Sequence, residues 1–247
     1  LGTLKAGPVS QRSGRRSEAA TDPFPDTGSR VVYTAIVGGV DLLLAPEVVD
    51  PDWDYICFSD EPVSCPPWRW APVERDQAMP ARAARYLKVN ATTVLPSAEL
   101  SLWVDGNIQP LASTQALADR YLATADLVFH THPQRSCLFE EAVAVIERGK
   151  DAAATVVPQI VRYAQAGMPP QAGLQATAAI LRRHTAAVAG LDAAWWAEIC
   201  RGSHRDQLSL PYVLHARGQR YAEFDSDVWR GPLFRHRRHD GPNAPVP

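Results

Sequence analysis

Charge of neither sign is in excess in this chain. Lys and Arg number 25 against 27 Asp and Glu, a net charge of -2, so composition gives no electrostatic footprint for a nucleic-acid partner. Cysteine is scarce: Cys57, Cys65, Cys137 and Cys200 form no CxxC pair, which argues against a zinc ribbon. A Cys57–Cys65 disulfide is conceivable in an oxidising compartment, but buried free thiols are the simpler expectation. No run approaches the ~20 apolar residues of a membrane span. No positively charged start followed by an apolar stretch marks a signal peptide. The expectation is a cytoplasmic domain without an integral membrane segment, reaching a membrane only through a partner or a segment outside this sequence. The first residue is not Met, so the sequence is also read as a domain that can belong to a longer protein. A GxGxxG dinucleotide fingerprint, an HExxH zinc motif and internal repeats are also missing.

What is present is ordinary for a globular protein: 247 residues, 46% hydrophobic and 21% charged, enough to bury a core without staples. Residues 1–29 are rich in Gly, Ser, Pro and Arg with little apolar periodicity and read as a flexible tail or linker, as do residues 240–247. The cluster Arg12, Arg15, Arg16 could meet an anionic surface, although a solvated tail is the plainer reading. Residues 30–239 form one domain in which strand and helix patterns alternate. RVVYTAIV (30–37), DYICFS (54–59), WRWAPV (68–73), LSLWV (100–104), DLVFHTH (126–132) and YAEF (221–224) read as strands. Helices are expected from Pro80 to about Thr93 and over 113–123, 136–149, 151–167, 185–200 and 205–217; GLQATAAILRRH (173–184) fits either state. Alternation at this spacing implies an α/β fold with a mostly parallel central sheet.

In such sheets ligands bind beyond the carboxyl ends of the strands. Three strand ends carry polar or glycine-rich turns: Gly38-Gly39-Val40-Asp41, Ser59-Asp60 and Asp105-Gly106-Asn107. In the last, a bend at Gly106 can bring two oxygen-bearing side chains to one point. Hard cations such as Mg²⁺ and Mn²⁺ take carboxylate and carbonyl oxygens, with water and phosphate filling the other positions. A D-G-N turn that merely ends a strand is the competing reading. Arg82, Arg85 and Lys88 recur every third residue on one predicted helical face upstream. They are either a solvated face or a means of neutralising a diphosphate.

Taken in order, YTAIVGGVD, DYICFSDEP, PARAARYLKVNATTVLP, LSLWVDGNI, HPQRSCLFEEA, GLQATAAILRRH and WWAEICRGSHRDQLSLPYVL resemble one family over about residues 30–217. It is the glycosyltransferase-like family of the plant turgor-regulation-defect and mucilage-related proteins, itself similar to GT-A nucleotide-sugar transferases such as glycosyltransferase family 8. The resemblance implies a GT-A-like, Rossmann-like single domain. It implies transfer of a sugar from a nucleotide-sugar donor, UDP by analogy, to a glycan or glycoconjugate acceptor with Mn²⁺ or Mg²⁺ as cofactor. Asp105 and Asn107 would then hold the metal, and His236 or His239 could supply a third ligand, although both also fit a basic tail. Asn107 stands where the family-8 motif has a second Asp, an oxygen without a charge. Ala35, Val37, Asp41 and Asp60 would lie near the donor nucleotide and Arg82, Arg85, Lys88 and Asp105 at its diphosphate. The Asp206-Gln207 pair opening a helix would orient the donor sugar and occupy the reacting face, which points to retention; a plain acidic first turn is the alternative. His132, Arg135 and Glu140 would form an acceptor or sugar pocket, with Glu141 instead pairing a cation, or would be a structural polar network. Trp195 or Trp196 could stack on a sugar, but neighbouring helical residues diverge, so at least one belongs to the core.

Three rivals remain in view. A glycoside hydrolase needs a carboxylate pair that the sequence does not show. A zinc hydrolase using His132, His184 and His204 lacks supporting spacing. A non-catalytic nucleotide- or sugar-binding module of the same fold gains weight from Asn107.

Overall fold

The computed structural model describes residues 25–74 and 80–242. Most of both terminal segments, including the Arg12, Arg15, Arg16 cluster, lies outside the described residues. The chain opens with β1 (Arg30–Ile36), β2 (Asp54–Ser59) and β3 (Arg69–Pro72). It continues through α1 (Pro80–Val89), α2 (Ala91–Val94), β4 (Leu100–Val104), β5 (Ile108–Pro110), α3 (Thr114–Tyr121), β6 (Leu127–Thr131), α4 (Leu138–Glu147) and α5 (Ala153–Gln165). It ends with β7 (Gln175–Arg183), α6 (Ala186–Arg201), α7 (Asp206–Arg217), β8 (Ala222–Glu223) and β9 (Phe234–His236).

A seven-stranded sheet in the order β3-β2-β1-β4-β7-β6-β8 forms the centre. β1 pairs in parallel with β2 and β4, β2 with β3, and β6 with β8; β7 alone runs opposite to both its neighbours. The sheet is therefore mostly parallel, as expected. Val31, Val32 and Tyr33 of β1 are fully buried, the continuous apolar pattern of a strand covered on both faces. Each such side chain contributes roughly 1.5–3 kcal/mol on burial. One face carries the core shared with α1, α2, α6 and α7; the other carries Trp53, Trp68, Leu117, Tyr121, Phe224 and Phe234. α4 and α5 pack beside α7 through Ala142, Val145, Val156 and Leu208.

The structure corrects one expectation, resolves one ambiguity and adds one pairing. The helix expected from Pro80 to Thr93 is broken at Asn90, which takes non-helical angles (φ -96°, ψ 45°) and separates α1 from α2. The ambiguous 173–184 segment is strand β7. Its Ala and Leu residues favour helix locally, but burial between β4 and β6 on both faces overrides that preference. Finally, β5 and β9 pair as a separate two-stranded sheet. These are short segments of weak pattern, and β9 falls within what reads as a basic tail. All four cysteines are free thiols, with Cys57 and Cys137 buried. No helix among the described residues is long and apolar enough to cross a membrane.

Candidate functional site

A cavity of about 420 Å³ opens at the carboxyl ends of β1 and β4. Because β7 is reversed, its first residues Ala176, Thr177 and Ala178 lie beside the last residues of β4: Val104 faces Ala179, and Asp105 N donates to Ala178 O (2.8 Å). At the end of β4 the Asp105 carboxylate accepts from Lys88 Nζ (2.9 Å) and Trp103 Nε1 (2.8 Å), both at Oδ1. Oδ2 has no hydrogen-bond partner among the described residues. The glycine that follows is a matter of space: a Cβ on Gly106 would stand 3.0 Å from both Asp41 Oδ2 and Ile36 Cγ1. Asn107 is buried and its Nδ2 donates to Arg237 O (3.0 Å) while facing His236 Nε2 (3.2 Å). A carbonyl only accepts, so the amide nitrogen must point there. That leaves Asn107 Oδ1 without a protein partner among the described residues, on the cavity wall.

The cationic face of α1 divides three ways. Arg82 is off the cavity wall; its guanidinium lies 5.8 Å from the Trp196 ring centre. Its expected place at a diphosphate is not the one it occupies, because Trp196 and Tyr86 form an aromatic ledge on that side of α1. Arg85 lines the cavity with its Nε 3.4 Å from Asp206 Oδ1. Burial would lower its pKa, but the Asp206 and Asp105 charges more than reverse this and raise it. Lys88 is 1% exposed, and its Nζ joins Asp105 Oδ1, Asp206 Oδ2 (2.8 Å) and Thr177 Oγ1 (3.2 Å). It is thus committed to two carboxylates and a hydroxyl, and is not an open cation waiting for phosphate.

Asp206, at the first turn of α7, is 2% exposed and also accepts from Thr177 Oγ1 (2.9 Å). Burial alone would push its carboxyl up. The charges of Arg85, Lys88 and Arg205, with the Lys88 hydrogen bond, outweigh that and hold it far below the usual carboxylate range. Asp206 therefore stays ionised as the partner of Lys88 and Arg85, with both oxygens engaged. Its neighbour Gln207 also lines the cavity, with one long contact from Nε2 to Gln175 O (3.4 Å). A second buried network fixes Lys88 from behind. Fully buried Arg182 donates to Lys88 O (3.0 Å) and Tyr33 OH (3.2 Å), and its Nε lies 3.5 Å from Asp192 Oδ1. Burial raises the Asp192 carboxyl to about 6 despite Arg182.

The C-terminal histidines arrive through the small sheet. β9 pairs with β5 so that His236 stands opposite Ile108, and Arg237 N donates to Asn107 O (2.9 Å). His236 and His239 both reach the cavity. Burial lowers the His236 pKa; the nearby His239 adds to this, and Asp105 and Asp41 oppose it. His239 Nδ1 pairs with Asp41 Oδ1 at 2.6 Å. The start of the expected tail is docked rather than detached, since Asp240 Oδ1 accepts from Leu42 N and Gly241 N donates to Val40 O. Among the described residues no three His, Cys, Asp or Glu side chains form a ready-made metal cluster. Asp105, Asn107, His236 and His239 share one wall without converging as a complete ligand set.

Ala35, Val37 and Asp41 line the cavity beyond β1. Asp60 does not; its two oxygens accept from Gly38 N (3.0 and 3.1 Å), which fixes the β1 turn. Across the cavity, His132 Nδ1 accepts from Arg135 N (3.1 Å) and Gln134 N (3.3 Å), and burial lowers its pKa. The partner of Arg135 is Glu141, not Glu140; Glu140 instead accepts from Gln171 Nε2 away from the cavity wall. Glu141 lies a residue further round α4, on the buried side of the helix. Trp195 cannot serve a sugar: it is fully buried, and its Nε1 donates to Asp206 O (3.1 Å). Of the two tryptophans that line the cavity, Trp103 is buried and Trp229 is exposed, the latter with ring centres 6.2 Å from His132 and 6.3 Å from His236. It sits in an irregular segment between β8 and β9, where no periodicity could single it out.

Residues 68–233 match the TOD1/MUCI70 glycosyltransferase-like domain, well over half of the chain, and the protein belongs to that family. The match includes Asp105, Asn107, Asp206 and Gln207 but stops short of His236 and His239. The sheet described above is thus the mostly parallel α/β core of a glycosyltransferase-like domain. No curated protein matches the chain in sequence. Similar solved structures include the apo form of the WbbM bifunctional glycosyltransferase, at 10% identity and a TM-score of 0.49 over 83% of this chain. The chain spans 40% of the length of that protein. Another is apo mouse xyloside xylosyltransferase 1, at 10% identity and a TM-score of 0.49 over 88% of this chain and 99% of the mouse chain. These are likenesses of backbone course alone.

Proposed function

We propose that the protein is a metal-dependent glycosyltransferase that moves a sugar from a nucleoside diphosphate donor, with UDP as the nucleotide, to a glycan or glycoconjugate acceptor. The observation that carries this reading is the pairing of two strand and helix ends across one cavity. The Asp105-Gly106-Asn107 turn and the Asp206-Gln207 helix start are tied by a single buried ammonium, Lys88. Asp105 Oδ2 and Asn107 Oδ1 have no protein partner among the described residues. They fit a hard divalent cation, Mn²⁺ or Mg²⁺, as a partial ligand set that diphosphate oxygens and water complete. His236 is the nearest candidate for a nitrogen ligand, once its Nε2 leaves Asn107 Nδ2. When bound, such a metal supplies positive charge against the departing diphosphate.

The chain's own residues do the rest. Arg85 brings positive charge to the same wall. Asp206 holds Lys88 and Arg85 in place and stays ionised throughout the working pH range. Gln207 lines the cavity and would flank the oxocarbenium-like sugar as it develops. Reaction on that face accords with retention. Trp229 offers a flat apolar surface for a sugar ring. A second reading, a nucleotide-binding module without turnover, draws on Asn107: its amide replaces a carboxylate, and its nitrogen is already tied to Arg237 O.

Calorimetric titration of UDP with and without Mn²⁺, repeated on Asp105→Ala, tests the proposal. Binding that requires both metal and Asp105, followed by release of UDP from a UDP-sugar, is expected. Metal-dependent binding without UDP release from any UDP-sugar would favour the non-catalytic module. Absence of UDP binding under every condition would refute the donor assignment.

A further inference from the structure

α4 turns one stripe, Glu141, Ala144, Val145 and Arg148, toward the cavity, and Lys150 follows at its end. This spacing is one helical face. The stripe stands on the β6 side of the sheet. β6 is two strand positions from β4, whose end carries Asp105, so ~10 Å separates the two strand ends. A diphosphate anchored at Asp105 therefore leaves this half of the cavity to another ligand.

The charges there do not cancel. Each carboxylate on the cavity wall already has its partner: Asp41 with His239, Asp105 with Lys88, Asp206 with Lys88 and Arg85, Glu141 with Arg135. Arg148, Lys150 and Arg205 also line the cavity, and none makes an ion pair among the described residues. Arg205 Nε is moreover a buried donor with no partner among the described residues, which costs free energy unless something accepts from it. The apolar Ala144 and Val145 lie beside these cations and offer no neutralising group.

We propose that this half of the cavity is the acceptor subsite and that the acceptor is anionic: a glycan whose carboxylate or phosphate is held by Arg148, Lys150 and Arg205. The inference rests on the glycosyltransferase reading above. Arg148 and Lys150 are exposed at the rim, so replacing them leaves the core intact. Arg205 lies deeper, where it also faces Asp206, and is left unchanged in the test.

The test compares the protein with its Arg148→Gln/Lys150→Gln variant, each with and without UDP and Mn²⁺. Three probes are titrated: a hexuronic acid trisaccharide, the same trisaccharide after carboxyl reduction, and a phosphorylated neutral trisaccharide. One or both charged probes should bind at least about tenfold more tightly than the reduced one, and the variant should lose that margin. The charged probe that binds identifies the source as carboxylate or phosphate. UDP affinity should stay within about twofold in the variant. Equal binding of charged and reduced probes would overturn the inference, as would absence of binding by any probe. A variant that loses UDP affinity in step with the glycans would also overturn it, because the cations would then serve the donor. Failure of the glycosyltransferase reading is distinct: the protein would bind no UDP, whatever the probes do.

Discussion

Replacing Lys88 by Met removes the ammonium and keeps most of the side-chain volume. At 1% exposure, Lys88 lies 2.9 Å from Asp105 Oδ1 and 2.8 Å from Asp206 Oδ2. The two carboxylates do not suffer equally. Asp105 is 30% exposed and can recover water, whereas Asp206 is 2% exposed and, among the described residues, keeps only Arg85 at 3.4 Å as an ion-pair partner. Leaving one partner of a buried pair uncompensated costs about 3–5 kcal/mol, and the surviving Arg85 contact places the loss near the lower end. With an m-value of about 2 kcal/mol/M, a loss of ~3 kcal/mol lowers the urea midpoint by ~1.5 M. The pH dependence has a definite sign. The folded pKa of Asp206 lies below its unfolded value, so its contribution is full above about pH 4 and is lost as pH falls below it. The variant raises the folded pKa and has less of this contribution to lose. The gap between the two proteins should therefore be widest near neutral pH and narrow below about pH 4. Urea unfolding followed by tryptophan fluorescence across this range measures both quantities. Adding Asp206→Asn to the variant should restore part of the stability, because no uncompensated carboxylate remains. A neutral-pH loss below about 1 kcal/mol would refute the reasoning, since it would mean that Asp206 finds an equivalent partner without Lys88.

Two further outcomes follow from the same geometry. His130→Phe should stabilise the fold by about 1 kcal/mol near neutral pH, because the buried ring has no partner at either nitrogen among the described residues and packs on Phe224 and Phe234. Burial lowers the His130 pKa from 6.5 to about 4. Its contribution is thus full above the unfolded value and is lost as pH falls toward 4, by up to about 3 kcal/mol, so the variant's advantage should grow with acidity in urea midpoints. Arg82→Ala should leave metal-dependent UDP affinity within about twofold by calorimetry, with a stability loss of about 0.5–1 kcal/mol from its contact with Trp196. A large loss of UDP affinity would return Arg82 to the donor site.

The sequence was most readable where period and burial agree. RVVYTAIV, DYICFS and LSLWV could be placed as strands because both faces are buried, and their turn residues marked the sheet end at which the cavity opens. The α1 face was legible as a face, but not what each cation on it would meet. Spacing places Arg82, Arg85 and Lys88 together; only packing sends them to a tryptophan, to the cavity and to a buried carboxylate pair. Glu141 was distinguished from Glu140 by rotation about α4, and Trp195 from a surface tryptophan by its bond to Asp206 O, neither of which is a local property. Trp229, Arg148 and Lys150 come from segments with no motif, so they become visible only once α4 and the loop before β9 enclose the cavity.

The direction of β7 links these pieces. Had this strand run parallel to β4, its far end, Leu181 to Arg183, would have bordered the cavity. Reversed, it sets Ala178 against Asp105 and brings Thr177 between Lys88 and Asp206. Its other end carries Arg182, which holds the Lys88 carbonyl from beneath. One strand thus grips Lys88 at both its ammonium and its backbone. The distance between the Asp105 turn and the α7 helix start is therefore fixed by buried polar contacts rather than by loop conformation. Buried contacts of this kind fix geometry because breaking any one of them strands a charge or a donor in the interior. On the proposed reading, in which the cavity holds a diphosphate at one end and a sugar at the other, its two walls need a constant separation. The part of the chain least certain from its sequence is the part that sets it.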